Sequence, residues 1–175
     1  VGVVALIALA ACKSDPATPQ HWEKALNGAK KTKDRARVVE DLRETKVLNA
    51  SFLPLLHAQL QSDKSPEVRE KIARVLGEMK DASSLQPLTD ALNFAPSGSA
   101  DNAMNKEITT ALGALGDAKA VPTLVRLLKL KDNYTKIESI NAVGRLRAKD
   151  ASAPLTAIAT DESGEPFIAK KAIQA

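Results

Sequence analysis

Three glycines in this chain share one local pattern, and a leucine follows each of them at the same distance. The leucine comes eleven residues after its glycine in three pairs: Gly77 with Leu88, Gly113 with Leu124, and Gly144 with Leu155. Pro54-Leu55 is the same element one unit earlier, so the leucines repeat at spacings of 33, 36 and 31 residues. Self-similarity at such a period is the signature of a repeat architecture, and it restricts the fold more than composition does.

Each repeat predicts a pair of helices. In the first helix, apolar residues recur at helical spacing, as at Val68, Ile72 and Leu76. Asp81 and Asp117 are placed to cap the second helix, and a proline falls in its first turn, where a missing N–H costs little. Because one pair cannot bury both its faces, the pairs are expected to stack into an all-α fold, an α-solenoid. A glycine inside a helix costs about 1 kcal/mol relative to alanine, so the repeat glycines are expected at close helix contacts.

The composition agrees with packed helices. Hydrophobic residues make up 44% of the chain but aromatic residues only 3%, which favours closely packed helices over a β-sandwich. The net charge of +4 is mild and does not indicate a nucleic-acid partner. Between positions 30 and 46, seven basic residues outnumber four acidic ones. This basic segment predicts either a solvated helix face or a surface attracted to anionic lipid head groups or an acidic partner.

The repeats resemble those of the HEAT family, in particular the short bacterial HEAT-like type. The resemblance rests on the Val68-Arg69 start, the Ala111-Leu112-Gly113 core, the capping aspartates and the Pro-Leu second helix, and it covers residues 34–175. Lys136 occupies the position in its repeat that is equivalent to Arg69. Asn105, at the equivalent position of another repeat, departs from this basic pattern and follows a longer connection. The resemblance implies a solenoid whose second helices line the concave side, and it is weak evidence for any one function.

The first twelve residues resemble the end of a bacterial lipoprotein signal. An uncharged apolar run, too short to span a bilayer, ends in Leu9-Ala10-Ala11-Cys12. The resemblance implies that Cys12 carries a diacyl lipid and becomes the new N-terminus; the alternative is a buried helix that ends in a cysteine. We therefore expect a cell-envelope protein. Because Lys13 stands where many inner-membrane lipoproteins have Asp, the periplasmic face of the outer membrane is favoured over the inner membrane.

These features divide the chain into three parts. Residues 1–11 are assigned to the signal segment, 12–20 to a polar tether and 21–175 to the repeat domain. The first residue is not Met and no basic residue precedes the apolar run, while the last residues read as helix, so we expect the natural protein to be longer. The predicted helical units are a cap helix at 22–29, a degenerate pair at 33–61, pairs at 66–93, 102–130 and 134–160, and the start of another at 166.

Catalytic chemistry has little support in the sequence. The two histidines, His21 and His57, have no carboxylate beside them and lie far apart, so neither a metal site nor a cofactor is predicted. No phosphate-binding glycine loop occurs, and Cys12 lies at the end of a signal segment. We therefore expect no enzyme activity. The alternative is a HEAT-like enzyme or enzyme accessory, for example one related to bilin lyases, that uses the solenoid groove.

The remaining prediction is a scaffold that binds another protein. Its partner surface is expected on the outward faces of the second helices, two residues beyond each core leucine, at His57, Asp90 and Arg126. The connection at 94–101 is expected to be either a tolerated insertion or a second contact loop. Nucleic acid is disfavoured as a partner, because the lipid signal directs the domain out of the cytoplasm.

Overall fold

A computed structural model describes residues 15–161 and 164–175, so Cys12 and the predicted signal segment lie outside the described residues. In this part of the chain there are helices and no strands. The α-helices, in chain order, are α1 Pro19–Gly28, α2 Thr32–Glu44, α3 Leu53–Ser62, α4 Pro66–Met79, α5 Leu85–Asp90, α6 Ser99–Leu115, α7 Val121–Leu127, α8 Asn133–Arg145, α9 Ser152–Ala159 and α10 Pro166–Gln174.

The helices form a stack of antiparallel pairs. The first helices α2, α4, α6, α8 and α10 pack side by side in that order, and the second helices α3, α5, α7 and α9 each pack against the first helix of the next pair. Helix α1 packs on α2 and covers the start of the stack with Trp22, which is buried. The predicted all-α solenoid is confirmed.

One continuous apolar core runs through the stack. Of the repeat leucines, Leu88 and Leu124 are fully buried and Leu155 is 9% exposed. Buried residues of the core extend from Trp22 in α1 to Ala172 in α10. Each pair therefore shares its core with the next, as expected for units that cannot bury their apolar faces alone.

The predicted capping aspartates lie at the start of the second helices and accept hydrogen bonds from backbone N–H groups there. The carboxylate of Asp81 accepts a hydrogen bond from the Ser83 N–H, and that of Asp117 accepts one from the Lys119 N–H, both at 2.9 Å. Each begins a single 3₁₀ turn that leads into the α-helix, so the caps act one turn earlier than the sequence indicated. Asp132 caps α8 through the Thr135 N–H at 2.8 Å.

The repeat glycines lie where neighbouring first helices touch. A Cβ built on Gly77 would come 2.9 Å from both Cα and Cβ of Ala111, and one on Gly113 would come 2.9 Å from Cβ of Ala142. On Gly144 it would meet Cα of Ala175 at 3.2 Å. The prediction of crowded glycines is confirmed, and α10 packs on α8 with Ala175, the residue after it, against Gly144.

The residue three positions after each repeat glycine has a left-handed backbone. These residues are Lys80 with φ 51°, Gly116 with φ 72° and Arg147 with φ 50°. Only Gly116 adopts this conformation without steric cost.

We therefore expect Gly116→Ala to lower the free energy of unfolding by about 1 kcal/mol, since a side chain there is strained. Lys80→Gly should raise it by a smaller amount, because the relief of strain is partly offset by the greater entropy of glycine in the unfolded chain. Urea denaturation of both variants checks this, and equal midpoints for the two would contradict it.

Candidate functional site

The residues predicted to bind a partner lie on three successive second helices. His57 is on α3, Asp90 ends α5 and Arg126 is on α7. Asp90 and Arg126 are exposed, whereas His57 is half-buried. Together with the exposed Gln86 and Pro122, these positions form what we call the second-helix edge.

His57 is engaged in packing between repeats. Its Nε2 lies 2.9 Å from Oγ of Ser84, a fully buried residue at the entry of the next second helix. Burial lowers the pKa of His57, and the negative charge of Asp81 opposes that shift. The lowered pKa favours the neutral imidazole, and the contact with Ser84 ties α3 to the following unit. The spacing argument missed this contact, because Ser84 is 27 residues away in sequence.

Arg126 is held in place by an aromatic ring. Its guanidinium carbon lies 4.0 Å from the centre of the Phe94 ring, a cation–π arrangement. Asp90 accepts a hydrogen bond from the side-chain amide of Gln86 at 2.7 Å. Both charges of the second-helix edge are thus oriented by a neighbouring side chain while their outer faces remain open to solvent.

The side chain of Asn105 anchors the connection between α5 and α6. This buried amide accepts from the backbone N–H of Asn93 at 2.9 Å and donates to the carbonyl of Asn93 at 2.6 Å. The departure of Asn105 from the repeat pattern and the greater length of the connection before α6 therefore have one explanation. The amide provides the two hydrogen bonds that the longer backbone needs, and the connection in turn positions Phe94 under Arg126.

The arginines of the predicted basic segment are paired with acids. Arg35 makes a bidentate pair with Asp63, at 2.6 and 2.9 Å, and the side chain of Asp63 is only 3% exposed. Arg43 donates to Glu40 and reaches Glu78 of the next first helix at 3.2 Å. Arg43 therefore joins α2 to the next first helix, and Arg35 joins α2 to the end of α3. The lysines at 30, 31, 33 and 46 are the open charges of the segment, together with the largely exposed Arg37, which lies 3.9 Å from Asp41.

Ion pairs continue along the first-helix side of the stack. Lys71 lies 3.6 Å from Glu40, and Arg74 lies 3.2 Å from Glu107. The hydrogen bond from Arg43 lowers the pKa of Glu40, burial opposes it, and the charges of Lys71 and Arg74 add to the lowering. Cations and carboxylates of successive first helices are thus paired across α2, α4 and α6.

Two further findings bear on the expected chemistry. Over residues 15–161 and 164–175, no group of three or more His, Cys, Asp or Glu side chains is arranged to hold a metal ion. No helix in the same described part has the length and apolar character needed to cross a membrane. Trp22 is buried and packs α1 onto the stack, and its indole N–H donates to the Pro16 carbonyl at 2.7 Å.

Two grooves that the sequence did not predict lie at the α10 end of the stack. The larger, of about 540 Å³, lies between α9, α10 and the turn at 147–149; the smaller, of about 250 Å³, lies between α8 and α10. We call them the end grooves. Ile173, which lines the larger one, is 74% exposed.

Comparison with known proteins agrees with this architecture. A family model described as HEAT repeats matches residues 19–100 and again residues 95–175. Among curated proteins there is no match to this chain. The two matched ranges together include every helix described above.

Proposed function

Because this chain belongs to the HEAT-repeat family, we propose that it is a non-catalytic scaffold that binds another protein in the bacterial cell envelope. In this proposal a lipid on Cys12 holds the repeat domain at a membrane, on the periplasmic face of the outer membrane in a cell with two membranes. The family supports the scaffold, and the sequence around Cys12 supports the anchor.

The observation that carries the proposal is the second-helix edge. Asp90 and Arg126 are exposed, lie on neighbouring second helices and each contact a neighbouring side chain, Gln86 and Phe94 respectively. Charged groups held in this way set the specificity and association rate of a protein interface more than its affinity. A charge that is already oriented loses less conformational entropy when a partner binds. The helices that carry them share one continuous apolar core.

The anchor predicts that a Cys12→Ala variant of the full-length gene product incorporates no radiolabelled palmitate, whereas wild type does. Each buried CH₂ contributes about 0.8 kcal/mol, so two acyl chains suffice for stable membrane attachment. We expect the mass of the wild-type protein to include a diacylglycerol. The protein should fractionate with membranes only when this lipid is present. Ser14→Ala is the matched control and should be labelled normally. Wild-type protein without label would contradict the anchor.

The second-helix edge predicts that reversing its two charges, Asp90→Lys with Arg126→Glu, weakens partner capture by about tenfold or more. The measurement is quantitative cross-linking in intact cells followed by mass spectrometry. Glu67→Lys with Lys106→Glu is the matched control, since it reverses two exposed charges on first helices and leaves net charge unchanged. Equal capture by the two folded double variants would place the binding surface elsewhere on the stack.

A further inference from the structure

Two polar side chains of α8 occupy core positions that are apolar in the preceding first helices. Thr135 lies nine residues before the repeat glycine Gly144, and Ser139 lies five residues before it. The residues at these two positions in α4 and α6 are Val68, Ile72, Met104 and Ile108. All six side chains are fully buried. Helix α8 therefore places two hydroxyl groups in the core where the earlier first helices place apolar atoms.

The two hydroxyls have no hydrogen-bond partner within the part of the chain that the structure describes. Oγ1 of Thr135 and Oγ of Ser139 are both buried, and no donor or acceptor there lies within bonding distance of either atom. Because neither side chain has exposed surface, no further chain could reach these atoms. A buried polar group without a partner opposes folding, since water forms hydrogen bonds with it in the unfolded chain.

A buried threonine of the preceding first helix shows the arrangement that α8 lacks. Thr109 on α6 is fully buried, but its Oγ1 donates to the Asn105 carbonyl, four residues earlier, at 2.7 Å. Ser139 has the Thr135 carbonyl at the same spacing and does not bond to it. For Thr135, the residue four positions earlier precedes the helix, which begins at Asn133. The buried hydroxyl is thus satisfied in α6 and the two in α8 are not.

The ion pairs between successive first helices also end at α6. Arg43 of α2 lies 3.2 Å from Glu78 of α4. Arg74 of α4 lies 3.2 Å from Glu107 of α6. Over residues 15–161 and 164–175, no ion pair joins α6 to α8. Such pairs contribute modestly at a surface, so their absence adds to the larger effect of the two hydroxyls.

We propose that α8 is the place where the stack opens first, so that α8 loses its packing on α6 and α7 while α1 to α6 remain packed. The least stable parts of a fold open locally at free energies below that of global unfolding. Helix α7, which packs on α8, carries Arg126, whereas Asp90 lies on α5. Each opening therefore removes support from one charge of the second-helix edge and leaves the other in place.

Hydrogen exchange of the purified full-length protein, followed by mass spectrometry, measures the opening of each helix. Amides of α8 should exchange about tenfold faster, or more, than those of α4 and α6. The reason is that a helix of 13 residues is marginal in water once it leaves the stack.

Thr135→Val replaces the hydroxyl with a methyl group of similar size. It should slow exchange in α8 by about tenfold, which corresponds to about 1.4 kcal/mol of local stability, and leave exchange in α4 unchanged. Ser139→Ala removes the other hydroxyl without adding an atom and should slow exchange in the same helix. Circular dichroism at 222 nm establishes that each variant is folded, and slower exchange in either one supports the inference.

Thr109→Val is the matched control, because it makes the same substitution at a fully buried threonine whose hydroxyl has a partner. It should not slow exchange in α6. The inference is overturned if amides of α8 exchange as slowly as those of α4 and α6, or if both variants of α8 leave its exchange unchanged. It is also overturned if Thr109→Val slows α6 as much as Thr135→Val slows α8, since the added methyl group would then explain both.

This opening goes beyond the proposed function, and the two fail in different ways. The exchange measurement involves no partner, so uniform exchange across the stack would remove the opening at α8 and leave the scaffold function in place. Absent cross-linked partners for wild type and every variant would remove the scaffold function, whatever the exchange of α8.

Discussion

Gly77→Leu is expected to lower the melting temperature by roughly 6–12 °C. A Cβ at this position would lie 2.9 Å from both Cα and Cβ of Ala111, so α4 and α6 would have to separate by at least about half an ångström before the rest of the leucine is placed. Overpacking of this kind costs about 3 kcal/mol, and 1 kcal/mol shifts the melting temperature of a chain of this size by about 2–4 °C. Circular dichroism at 222 nm measures the shift.

Alanine substitutions at the same glycines should show a graded effect. At Gly77 the obstacle is the backbone of α6, at Gly113 it is Cβ of Ala142 and the movable end of Arg145, and at Gly144 the nearest atoms are farther, at 3.1 Å. The loss of stability should therefore fall from Gly77 to Gly113 to Gly144. Gly28→Ala is the control, because nothing lies within 4 Å of its added Cβ. Equal melting temperatures for all four variants would mean that the first helices do not touch at their glycines.

The helices, their pairing and the crowded glycines could be predicted because the same local rules act in every repeat. Apolar spacing, a capping aspartate and a proline in the first turn recur at a fixed period, so each unit supports the interpretation of the others. Gly77, Gly113 and Gly144 share one explanation for the same reason. The sequence also showed that Asn105 departs from the repeat pattern. The reason could not be predicted, because it depends on the position of the backbone that the Asn105 side chain anchors.

Contacts between distant positions could not be predicted in this way. Arg35 and Asp63, 28 positions apart, meet where α2 approaches the end of α3, and His57 and Ser84, 27 positions apart, meet where α3 contacts the next unit. Periodicity indicates which face of a helix is apolar, but not which polar side chains meet across two helices. The end grooves escaped prediction for the same reason, since their walls come from separate helices that meet only in the stack.

The Arg35–Asp63 pair is the interaction of this kind with the largest expected effect. Asp63 is 3% exposed and Arg35 19%, and the same carboxylate accepts the Ser65 N–H at 2.8 Å where α4 begins. Removing the carboxylate leaves the partly buried Arg35 charge and the Ser65 N–H without their acceptor, which costs about 2 kcal/mol. Asp63→Ala should lower the free energy of unfolding by this amount, measured by urea denaturation at pH 7. Asp41→Ala, which breaks the looser 3.9 Å pair with the exposed Arg37, should cost under about 1 kcal/mol.

The effect of Asp63→Ala should also depend on pH. Burial acts to raise the pKa of Asp63, but the hydrogen bonds from Arg35 and the Ser65 N–H, with the charges of Arg35 and Arg69, outweigh it and hold the pKa below its usual value. A carboxyl whose pKa is lower in the folded chain than in the unfolded chain stabilises the fold above the unfolded pKa, about 4, and loses that contribution as pH falls through the lowered folded value. The difference between wild type and Asp63→Ala should therefore be constant from pH 7 to about 5 and shrink below about pH 4. A difference that stayed unchanged down to pH 2 would mean that Asp63 acts through its packing and not through its charge.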